Sequence, residues 1–182
     1  FGLLVKTLCY TGMRINEALN VKLSQINLAE GRIYLPETKN GDARSVYLPQ
    51  HLIVDFANQP PRKKAIRPQG GGPQHEDVGV PFMERPTKRY LFRFHVGGAL
   101  RDMLKDAFKS CGLSFAKREG GFHLFCHTYG TWMSNYADLD TFALTRTKRW
   151  KSPEMADRYT HTKPSAEAMK AELLPAPIHK TV

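Results

Sequence analysis

Cysteine is scarce in this chain. Cys9, Cys111 and Cys126 are the only cysteines in 182 residues, and no two of them form a Cys-x-x-Cys pair. This spacing argues against a disulfide framework and suits a reducing compartment. No apolar run approaches the roughly 20 residues that span a bilayer, and no basic segment followed by an apolar one indicates a secretory signal. The sequence therefore predicts a cytoplasmic protein with no membrane partner.

Motifs that mark several enzyme classes are also missing. The sequence contains no Gly-rich phosphate loop, no Gly-x-Ser-x-Gly and no His-Glu-x-x-His. The absence of these motifs argues against the enzyme classes that they mark. His123, Cys126 and His127 do occur at i, i+3 and i+4 of a predicted helix, a spacing that could hold a metal. A fourth ligand is not evident, so we expect no metal. Cys126 alone is most simply a buried apolar residue.

Acidic residues are outnumbered by basic ones. There are 17 Asp and Glu against 27 Lys and Arg, which gives a formal net charge of +10 and an isoelectric point near 9.7. Such a charge favours a polyanionic partner, although a merely soluble basic protein has the same composition. Hydrophobic residues make up 41% of the chain. We therefore expect one ordinary domain, with or without an appendage, and a sizeable core.

Apolar residues at helical spacing predict a helix over residues 1–23. The apolar positions are Leu3, Leu4, Leu8, Ile15, Leu19 and Leu23. Thr11-Gly12 interrupts the pattern, so the segment divides into two helices, the second starting near Met13. Because Phe1 already lies inside this pattern, we expect the chain to be a piece of a longer protein.

A small antiparallel sheet of three strands is predicted within residues 24–48. Its last two strands are expected at residues 32–35 and 44–48, where the apolar period changes from helical to alternating. Asn40-Gly41 lies between them and indicates a hairpin turn, because both residue types tolerate a positive φ. Lys39 is then expected at the tip of that hairpin.

The middle of the chain combines an irregular segment with a helix. Residues 58–86 are rich in Pro, Gly and charge, which is typical of an irregular segment, and their basic cluster is either a solvated loop or a phosphate contact. Pro86 opens a predicted helix that runs to about Ser110 and is kinked at Gly97-Gly98. Gly112 is the expected stop of this helix.

The last third of the chain is predicted to be helical. Helices are expected at residues 123–136 and 140–149. Ser152-Pro153 is typical of a helix start, and the short helix that follows would carry Tyr159. Residues 164–175 carry an apolar stripe, which predicts a tail helix that docks either on its own core or on a neighbouring subunit.

Several of these segments, in order, resemble the signatures of the tyrosine recombinases, the phage integrase family. Residues 11–19, Thr-Gly-Met-Arg-Ile-Asn-Glu-Ala-Leu, resemble the first signature. Residues 123–128, His-Leu-Phe-Cys-His-Thr, resemble the second, which is His-x-x-Arg-His-Thr. Residues 157–161, Asp-Arg-Tyr-Thr-His, resemble the segment of the nucleophile, and Trp150 precedes Tyr159 by nine residues, as in the family pattern.

The resemblance covers residues 1–163, and the order and spacing of the motifs make it specific. It implies an α+β fold that is mainly helical, with a small three-stranded antiparallel sheet packed on a helical catalytic core. Residues 1–163 would be the catalytic domain, without the family's N-terminal core-binding domain, and residues 164–182 the tail helix and chain end. Lys39 lies in the hairpin where the family keeps its lysine.

The resemblance gives Arg14 and Glu17 roles at a DNA phosphate. Arg14 would hold one side of the phosphate, because a guanidinium binds phosphate oxygens bidentately and does not lose its proton. Glu17, one turn later on the same face, would orient Arg14. Taken alone, the two residues would be an ordinary surface i,i+3 pair.

Tyr159 would be the nucleophile and would leave a 3′-phosphotyrosyl link. An ordinary phenol has a pKa near 10 and is ionised to about one part in a thousand at pH 7, so a base must help, and His123 is the candidate. Lys39 would protonate the departing 5′ oxygen, and Trp150 would pack and hydrogen-bond near the phosphate. Taken alone, these two would be a solvated turn lysine and a core tryptophan. No cofactor is implied, since cationic side chains stabilise the developing charge.

Cys126 stands where the family has its second catalytic arginine. A thiol makes no charged, bidentate contact with a phosphate, and the loss of one transition-state donor costs about 10²–10³ in rate. We therefore expect this sequence to cleave DNA slowly or not at all. Three explanations stay open: an engineered or acquired mutation, a decayed mobile-element gene, or rescue by another cation such as Arg118, Lys148 or Arg149.

The resemblance also implies the partners. These are double-stranded DNA and, on DNA, a homo-tetramer linked through C-terminal segments, while the isolated chain is monomeric; the origin would be bacterial or phage-derived. Two other functions are compatible with the same fold. A non-catalytic DNA-binding module would form no covalent adduct through Tyr159, and a type IB topoisomerase would act as a monomer on nonspecific DNA.

Overall fold

The structure is a computed structural model, and it describes residues 1–36, 43–61, 79–114 and 121–160. These residues form seven α-helices and one antiparallel sheet of three strands, which confirms the mainly helical α+β fold. The chain divides into two compact units, residues 1–129 and residues 130–182. No helix within the described part is long and apolar enough to cross a membrane.

The first unit opens with two helices separated by a left-handed glycine. Helix α1 spans Gly2–Thr11 and α2 spans Ile15–Asn20, so the predicted interruption is confirmed. Gly12 follows α1 with a φ of +64°, and its N–H donates to the Leu8 carbonyl at 3.0 Å. A Cβ at this position would collide with the ring of Tyr129. Glycine is therefore required by both the backbone conformation and the packing.

The predicted sheet is confirmed. Its strands are β1 (Ile26–Asn27), β2 (Arg32–Leu35) and β3 (Arg44–Tyr47), in that order. Ile33 pairs with Val46, and Leu35 pairs with Arg44. Buried and exposed side chains alternate along β2 and β3, so one face of the sheet packs on the core. Lys39, which was predicted to lie at the tip of the hairpin, is outside the described residues.

The core of the first unit lies among α1, the sheet and two further helices. Helix α3 spans Gln50–Ala57 and α4 spans Gly98–Ser110. Fully buried side chains from these regions include Leu4, Leu8, Ile33, Leu48, Leu52 and Phe56. Burial of each such side chain stabilises the fold by about 1.5–3 kcal/mol. As predicted, α4 ends before a left-handed glycine, Gly112.

The predicted helix from Pro86 to Ser110 is wrong in its first half, because residues 86–97 are not helical. Their backbone instead pairs with the chain that follows α2. The Leu91 N–H donates to the Val21 carbonyl at 2.7 Å, and Lys22 and Tyr90 form an antiparallel bridge. Helical periodicity could not reveal this pairing, since the two segments are far apart in sequence. The glycine pair predicted as a kink marks the start of α4.

The predicted irregular segment, residues 58–86, is described only in part, since residues 62–78 lie outside the described ranges. Phe82–Glu84 forms one turn of 3-10 helix. The next residue, Arg85, is only 4% exposed. Its guanidinium donates to the Gln59 side chain at 2.9 Å and to two backbone carbonyls at 3.0 and 3.2 Å. This buried arginine is therefore fully engaged within the fold.

Three helices follow, and the boundary between the two units lies inside the first of them. They are α5 (His123–Asn135), α6 (Thr141–Arg146) and α7 (Pro153–Asp157). The second unit begins at Gly130. Asp140 is the N-cap of α6, and its carboxylate accepts the Ala143 N–H at 2.6 Å, a common arrangement at helix starts. The helix is shorter than the predicted 140–149, because a turn at residues 147–148 ends it.

The predicted helix start at Ser152-Pro153 is confirmed, with Ser152 at the N-cap and Pro153 at the first helical position. The predicted place of Tyr159 is corrected slightly, since it lies two residues beyond the end of α7. Its backbone N–H donates to the Ala156 carbonyl at 3.0 Å, which holds it in a tight turn. The predicted tail helix, residues 164–175, lies outside the described residues.

Candidate active site

A single carboxylate in the first unit contacts two arginines. The Arg14 guanidinium donates to Glu17 Oε1 at 3.1 Å, and the Arg14 backbone N–H donates to Glu17 Oε2 at 2.7 Å. Arg44 Nη2 donates to the same Oε2 at 2.8 Å. The Glu17 side chain is 8% exposed and that of Arg44 4%, whereas that of Arg14 is 26% exposed. Glu17 is thus no ordinary surface residue, and the more exposed Arg14 keeps access to solvent.

Arg44 is a site residue that the motif comparison missed, although the sequence contains a signal for it. It occupies a buried position at the start of β3, on the same side as Val46. A charged residue at an inward position of an alternating strand is unusual, because burying a charge is costly unless it is paired. The partner is Glu17, 27 residues away along the chain. That separation is why spacing alone did not connect the two.

Cys126 is buried in the first unit against the segment that carries Arg14. It is 2% exposed, and its thiol donates to the Met13 carbonyl at 3.4 Å. Met13 is fully buried and directly precedes Arg14. The position where the resemblance expects a second arginine therefore lies beside the predicted phosphate-binding loop. A neutral thiol occupies it.

His123 and His127 lie one turn apart on α5, with ring centroids 4.7 Å apart and ring planes perpendicular. His123 is exposed and begins the helix, so its imidazole is accessible for proton transfer. Cys126 contacts a backbone carbonyl instead of joining the two histidines. Within the described ranges, no group of three or more His, Cys, Asp or Glu side chains could hold a metal ion.

The thiol of Cys9 is unreactive at neutral pH. Burial raises the pKa of Cys9 to about 11, and the neighbouring Cys126 thiol adds a smaller rise because two thiolates would repel each other. A thiol with so high a pKa is almost entirely protonated at neutral pH and is a poor nucleophile. The environment of Cys9 therefore favours its neutral thiol.

In the second unit, Tyr159 is buried against Trp150. Tyr159 is 5% exposed and Trp150 is 7% exposed, and their ring centroids lie 5.0 Å apart. Gly130 of α5 lies directly beneath both rings. A Cβ at Gly130 would come within 2.8 Å of the Tyr159 ring and 3.0 Å of the Trp150 ring. The absence of a side chain at Gly130 is therefore what allows the two rings to pack there.

Hydrogen bonds fix the backbone on both sides of Tyr159. The Thr160 hydroxyl donates to the Asp157 carbonyl at 2.8 Å and lies 3.1 Å from the Thr141 hydroxyl. Thr141 begins α6, so these contacts join the tyrosine turn to that helix. Neither threonine was identified from the sequence, since hydroxyl residues of this kind are common and carry no distinctive spacing.

A strained turn leads from α6 to Trp150. Lys148 adopts a left-handed conformation with a φ of +57°, and its N–H donates to the Thr145 carbonyl at 2.8 Å. This conformation costs a non-glycine residue about 1–2 kcal/mol. Arg149 follows, 4% exposed, with its guanidinium carbon 5.8 Å from the centre of the Trp150 ring. A buried arginine therefore follows the turn and lies beside the Trp150 ring.

The structure brings the predicted site residues together in two groups, one in each unit. Arg14 and Glu17 are in contact in the first unit, where Cys126 adjoins the same loop. Trp150 and Tyr159 pack together in the second unit. Lys39 lies outside the described residues. The catalytic roles of these residues stay predictions.

Comparison with protein-family models gives one match over nearly the whole chain. The model described as the phage integrase family matches residues 2–166. Among curated protein sequences, none matches the chain. The matched range contains every site residue predicted from the sequence.

Solved structures show the same fold. The chain is similar to the catalytic domain of bacteriophage HP1 integrase, with 21% identity and a TM-score of 0.60, covering 96% of this chain and 82% of that one. It is similar to XerA recombinase, with 20% identity, a TM-score of 0.57 and coverage of 96% and 57%. A third structure is XerH site-specific recombinase bound to a palindromic difH substrate, with 21% identity, a TM-score of 0.61 and coverage of 94% and 45%. This chain thus spans about half the length of the two recombinases.

Proposed function

Because this chain belongs to the phage integrase family, we propose that it breaks and rejoins double-stranded DNA through Tyr159, as a step of site-specific recombination. The observation that carries the proposal is the packing of Tyr159. The residue at the nucleophile position of the family pattern is held by Trp150 and by the bare backbone of Gly130. A side chain so held has one orientation, which is what attack on a phosphorus atom requires.

In the proposed reaction, the phenol oxygen of Tyr159 forms a bond to phosphorus while the bond from phosphorus to the 5′ oxygen breaks. His123 accepts the phenol proton, and its exposed position on α5 suits that exchange. Lys39 gives a proton to the departing 5′ oxygen. The products are a 3′-phosphotyrosyl link and a free 5′ hydroxyl. Attack by a 5′ hydroxyl of another strand reverses the step and rejoins the DNA, so no external energy source is needed.

Arg14 stabilises the charge that builds on the non-bridging phosphate oxygens. Its side chain is partly exposed, and Arg14 is positioned by two hydrogen bonds to the Glu17 carboxylate, one from the guanidinium and one from the backbone N–H. Arg44 fixes the same carboxylate from the other side. A donor held in place before the reaction does not have to be reoriented as charge develops, which is the main source of electrostatic catalysis.

Cys126 makes this catalysis slow. It replaces a charged donor with a buried neutral thiol that is engaged by the Met13 carbonyl. Removal of one transition-state donor costs about 10²–10³ in rate. This observation also supports a second candidate function, a DNA-binding module that keeps the fold without cutting. The two functions differ in whether a covalent link to Tyr159 ever forms.

Double-stranded DNA is the proposed partner. XerH, a structural relative, is described in complex with its DNA substrate, and the net charge of +10 on this chain suits a polyanion. We expect weak binding whose affinity falls steeply with salt, since phosphate contacts release counterions. On two DNA sites, we propose assembly into a tetramer through the C-terminal tail.

Relaxation of supercoiled plasmid tests the proposal, because it demands little sequence specificity. Three proteins are compared: the unmodified chain, Cys126→Arg, and Cys126→Arg with Tyr159→Phe, each checked for an intact thermal unfolding transition. We expect Cys126→Arg to relax DNA at least tenfold faster than the unmodified chain, and Tyr159→Phe to abolish the activity. DNA binding with no Tyr159-dependent relaxation by any of the three would support the DNA-binding module.

A further inference from the structure

One buried arginine in the second unit has no polar partner. Arg149 is 4% exposed, and its Nε–H finds no hydrogen-bond acceptor. Across the part of the chain that the structure describes, its guanidinium makes no hydrogen bond and no ion pair. The two other buried arginines differ, since Arg44 is paired with Glu17, and Arg85 donates three hydrogen bonds. Arg149 is thus the exception among the buried arginines of the described residues.

An unpaired buried guanidinium is costly. Arginine does not lose its proton at any physiological pH, so burial cannot be relieved by neutralisation. Buried charges in proteins are therefore paired with an opposite charge or fully hydrogen-bonded. Among the described residues, the Arg149 guanidinium lies over the face of Trp150, 5.8 Å from the ring centre. An aromatic face accepts part of the charge but does not replace a hydrogen-bond acceptor for the buried Nε–H, so the arrangement favours an anion.

The location of Arg149 indicates which anion. Arg149 and Tyr159 share a neighbour in Trp150: the Arg149 guanidinium carbon lies 5.8 Å from the centre of that ring, and the centre of the Tyr159 ring lies 5.0 Å from it. An anion bound by Arg149 would therefore lie in the same side-chain cluster as Tyr159. The residue before it, Lys148, has a left-handed conformation with a φ of +57°, which is unfavourable for a lysine. Strain of this kind is typical of functional sites.

We propose that Arg149 binds the phosphate that Tyr159 attacks, and that it supplies part of the positive charge that Cys126 cannot. This inference rests on the proposed function and deepens it. The guanidinium donates hydrogen bonds to a non-bridging oxygen of the phosphate and takes no part in bond breaking. Because of this contact, the unmodified chain keeps a slow but measurable cleavage activity.

Stability separates this role from a structural one. If Arg149 served the fold, Arg149→Gln would lower the melting temperature, as loss of a buried, engaged side chain does. If Arg149 serves to bind a phosphate and does not stabilise the free protein, removing its uncompensated charge leaves the melting temperature unchanged or raises it by roughly 2–4 °C. Arg149→Lys keeps the charge and serves as the folded variant in either case. A fall of more than about 4 °C for Arg149→Gln, with Arg149→Lys unchanged, would overturn the proposal.

Plasmid relaxation is measured both in the unmodified chain and in the Cys126→Arg background. The two measurements distinguish a failure of phosphate binding by Arg149 from a failure of cleavage through Tyr159. Arg146→Gln is the matched control, because Arg146 is an exposed arginine three residues away. We expect Arg149→Gln to slow plasmid relaxation at least tenfold where Cys126 is present and less in the Cys126→Arg background, while Arg146→Gln changes it less than threefold. Equal effects of the two arginine variants in both backgrounds would overturn the role of Arg149 and leave that of Tyr159 intact.

Phosphate binding is measured without reference to activity. The Nε–Hε resonance of Arg149 in the full chain, assigned by its loss in Arg149→Gln, is followed while inorganic phosphate is added at constant ionic strength. We expect a saturable shift at Arg149 and none at Arg146. No shift at Arg149 would overturn the anion site. A saturable shift without Tyr159-dependent relaxation in any background would support the anion site and overturn the proposed cleavage.

Discussion

Glu17 receives both the backbone N–H and the guanidinium of Arg14, at 2.7 and 3.1 Å. One carboxylate therefore sets both the start of α2 and the direction of the arginine that the family pattern assigns to phosphate binding. The buried Arg44 contacts the same carboxylate at 2.8 Å. The cluster is consequently a structural unit as well as a candidate part of the catalytic site.

Replacement of Glu17 by Gln is expected to destabilise the chain. The change removes the carboxylate charge that pairs with Arg44, whose side chain is 4% exposed, and breaking a buried pair in this way costs about 3–5 kcal/mol. For a chain of this size, the melting temperature should fall by roughly 6–12 °C or more. Asp102→Asn is the matched control, because the Asp102–Lys105 pair is about two thirds exposed and such pairs contribute at most about 1 kcal/mol. Similar melting temperatures for the two variants would contradict this account.

Replacement of Gly130 by Ala should disturb Tyr159. In an exposed helix interior, Gly to Ala stabilises by about 0.5–1 kcal/mol, but here the new methyl group would lie 2.8 Å from the Tyr159 ring. Overpacking of this kind costs about 1–3 kcal/mol and is expected to prevail. We expect a lower melting temperature and at least a tenfold loss of Tyr159-dependent relaxation in the Cys126→Arg background. Gly98→Ala, where a Cβ would meet nothing within 4 Å, should lower neither the melting temperature nor the relaxation rate; equal losses in the two variants would argue against the packing.

The thiol of Cys9 predicts how stability depends on pH. Its pKa is raised from 9.0 to about 11 in the folded chain, so folding favours the neutral thiol. The resulting stabilisation is present below about pH 9 and is lost as the pH rises through 11. The free energy of unfolding, measured with urea, should therefore fall more between pH 9 and 11 in the unmodified chain than in Cys9→Ala. Cys111→Ala changes an exposed cysteine, so its free energy of unfolding should depend on pH as that of the unmodified chain does. If the free energy of unfolding of Cys9→Ala fell equally between pH 9 and 11, the pH dependence could not come from Cys9.

The left-handed turn before Arg149 carries a measurable strain. Lys148→Gly removes the clash of the Cβ with the backbone at a φ of +57°, whereas it adds conformational freedom to the unfolded chain. We expect the free energy of unfolding to rise by up to about 1 kcal/mol. Lys151→Gly removes an exposed lysine whose φ is not positive, so it should lower the value by about 0.5–1 kcal/mol. Calorimetry or urea unfolding measures the free energy of unfolding of both variants. A lower value for Lys148→Gly than for the unmodified chain would contradict the claim that this turn is strained.

Local signals in the sequence predicted most of the fold. The break at Gly12, the alternation along β2 and β3, and the Ser152-Pro153 helix start all depend on neighbouring residues, and all three are confirmed. The predicted helix at residues 86–97 was wrong because its backbone pairs with residues 21–24, a contact between distant segments. Periodicity contains no information about such a partner.

The candidate site was predicted unevenly for the same reason. Motif order was enough to identify Arg14, Glu17, Trp150 and Tyr159 as candidates. It could not show that Glu17 also binds Arg44, because that pair joins a helix to a strand 27 residues away. It could not show the burial of Arg149 either, since nothing in the residue types around it distinguishes a buried arginine from a solvated one.

A covalent protein–DNA adduct tests the central claim most directly. The Cys126→Arg chain is incubated with supercoiled plasmid, trapped with detergent and digested with nuclease and protease, and the modified peptide is identified by mass spectrometry. The account predicts a phosphate-linked nucleotide on Tyr159, attached through its 3′ phosphate, and no adduct after Tyr159→Phe. An adduct that persists in Tyr159→Phe, or that lies on any other residue, would contradict it.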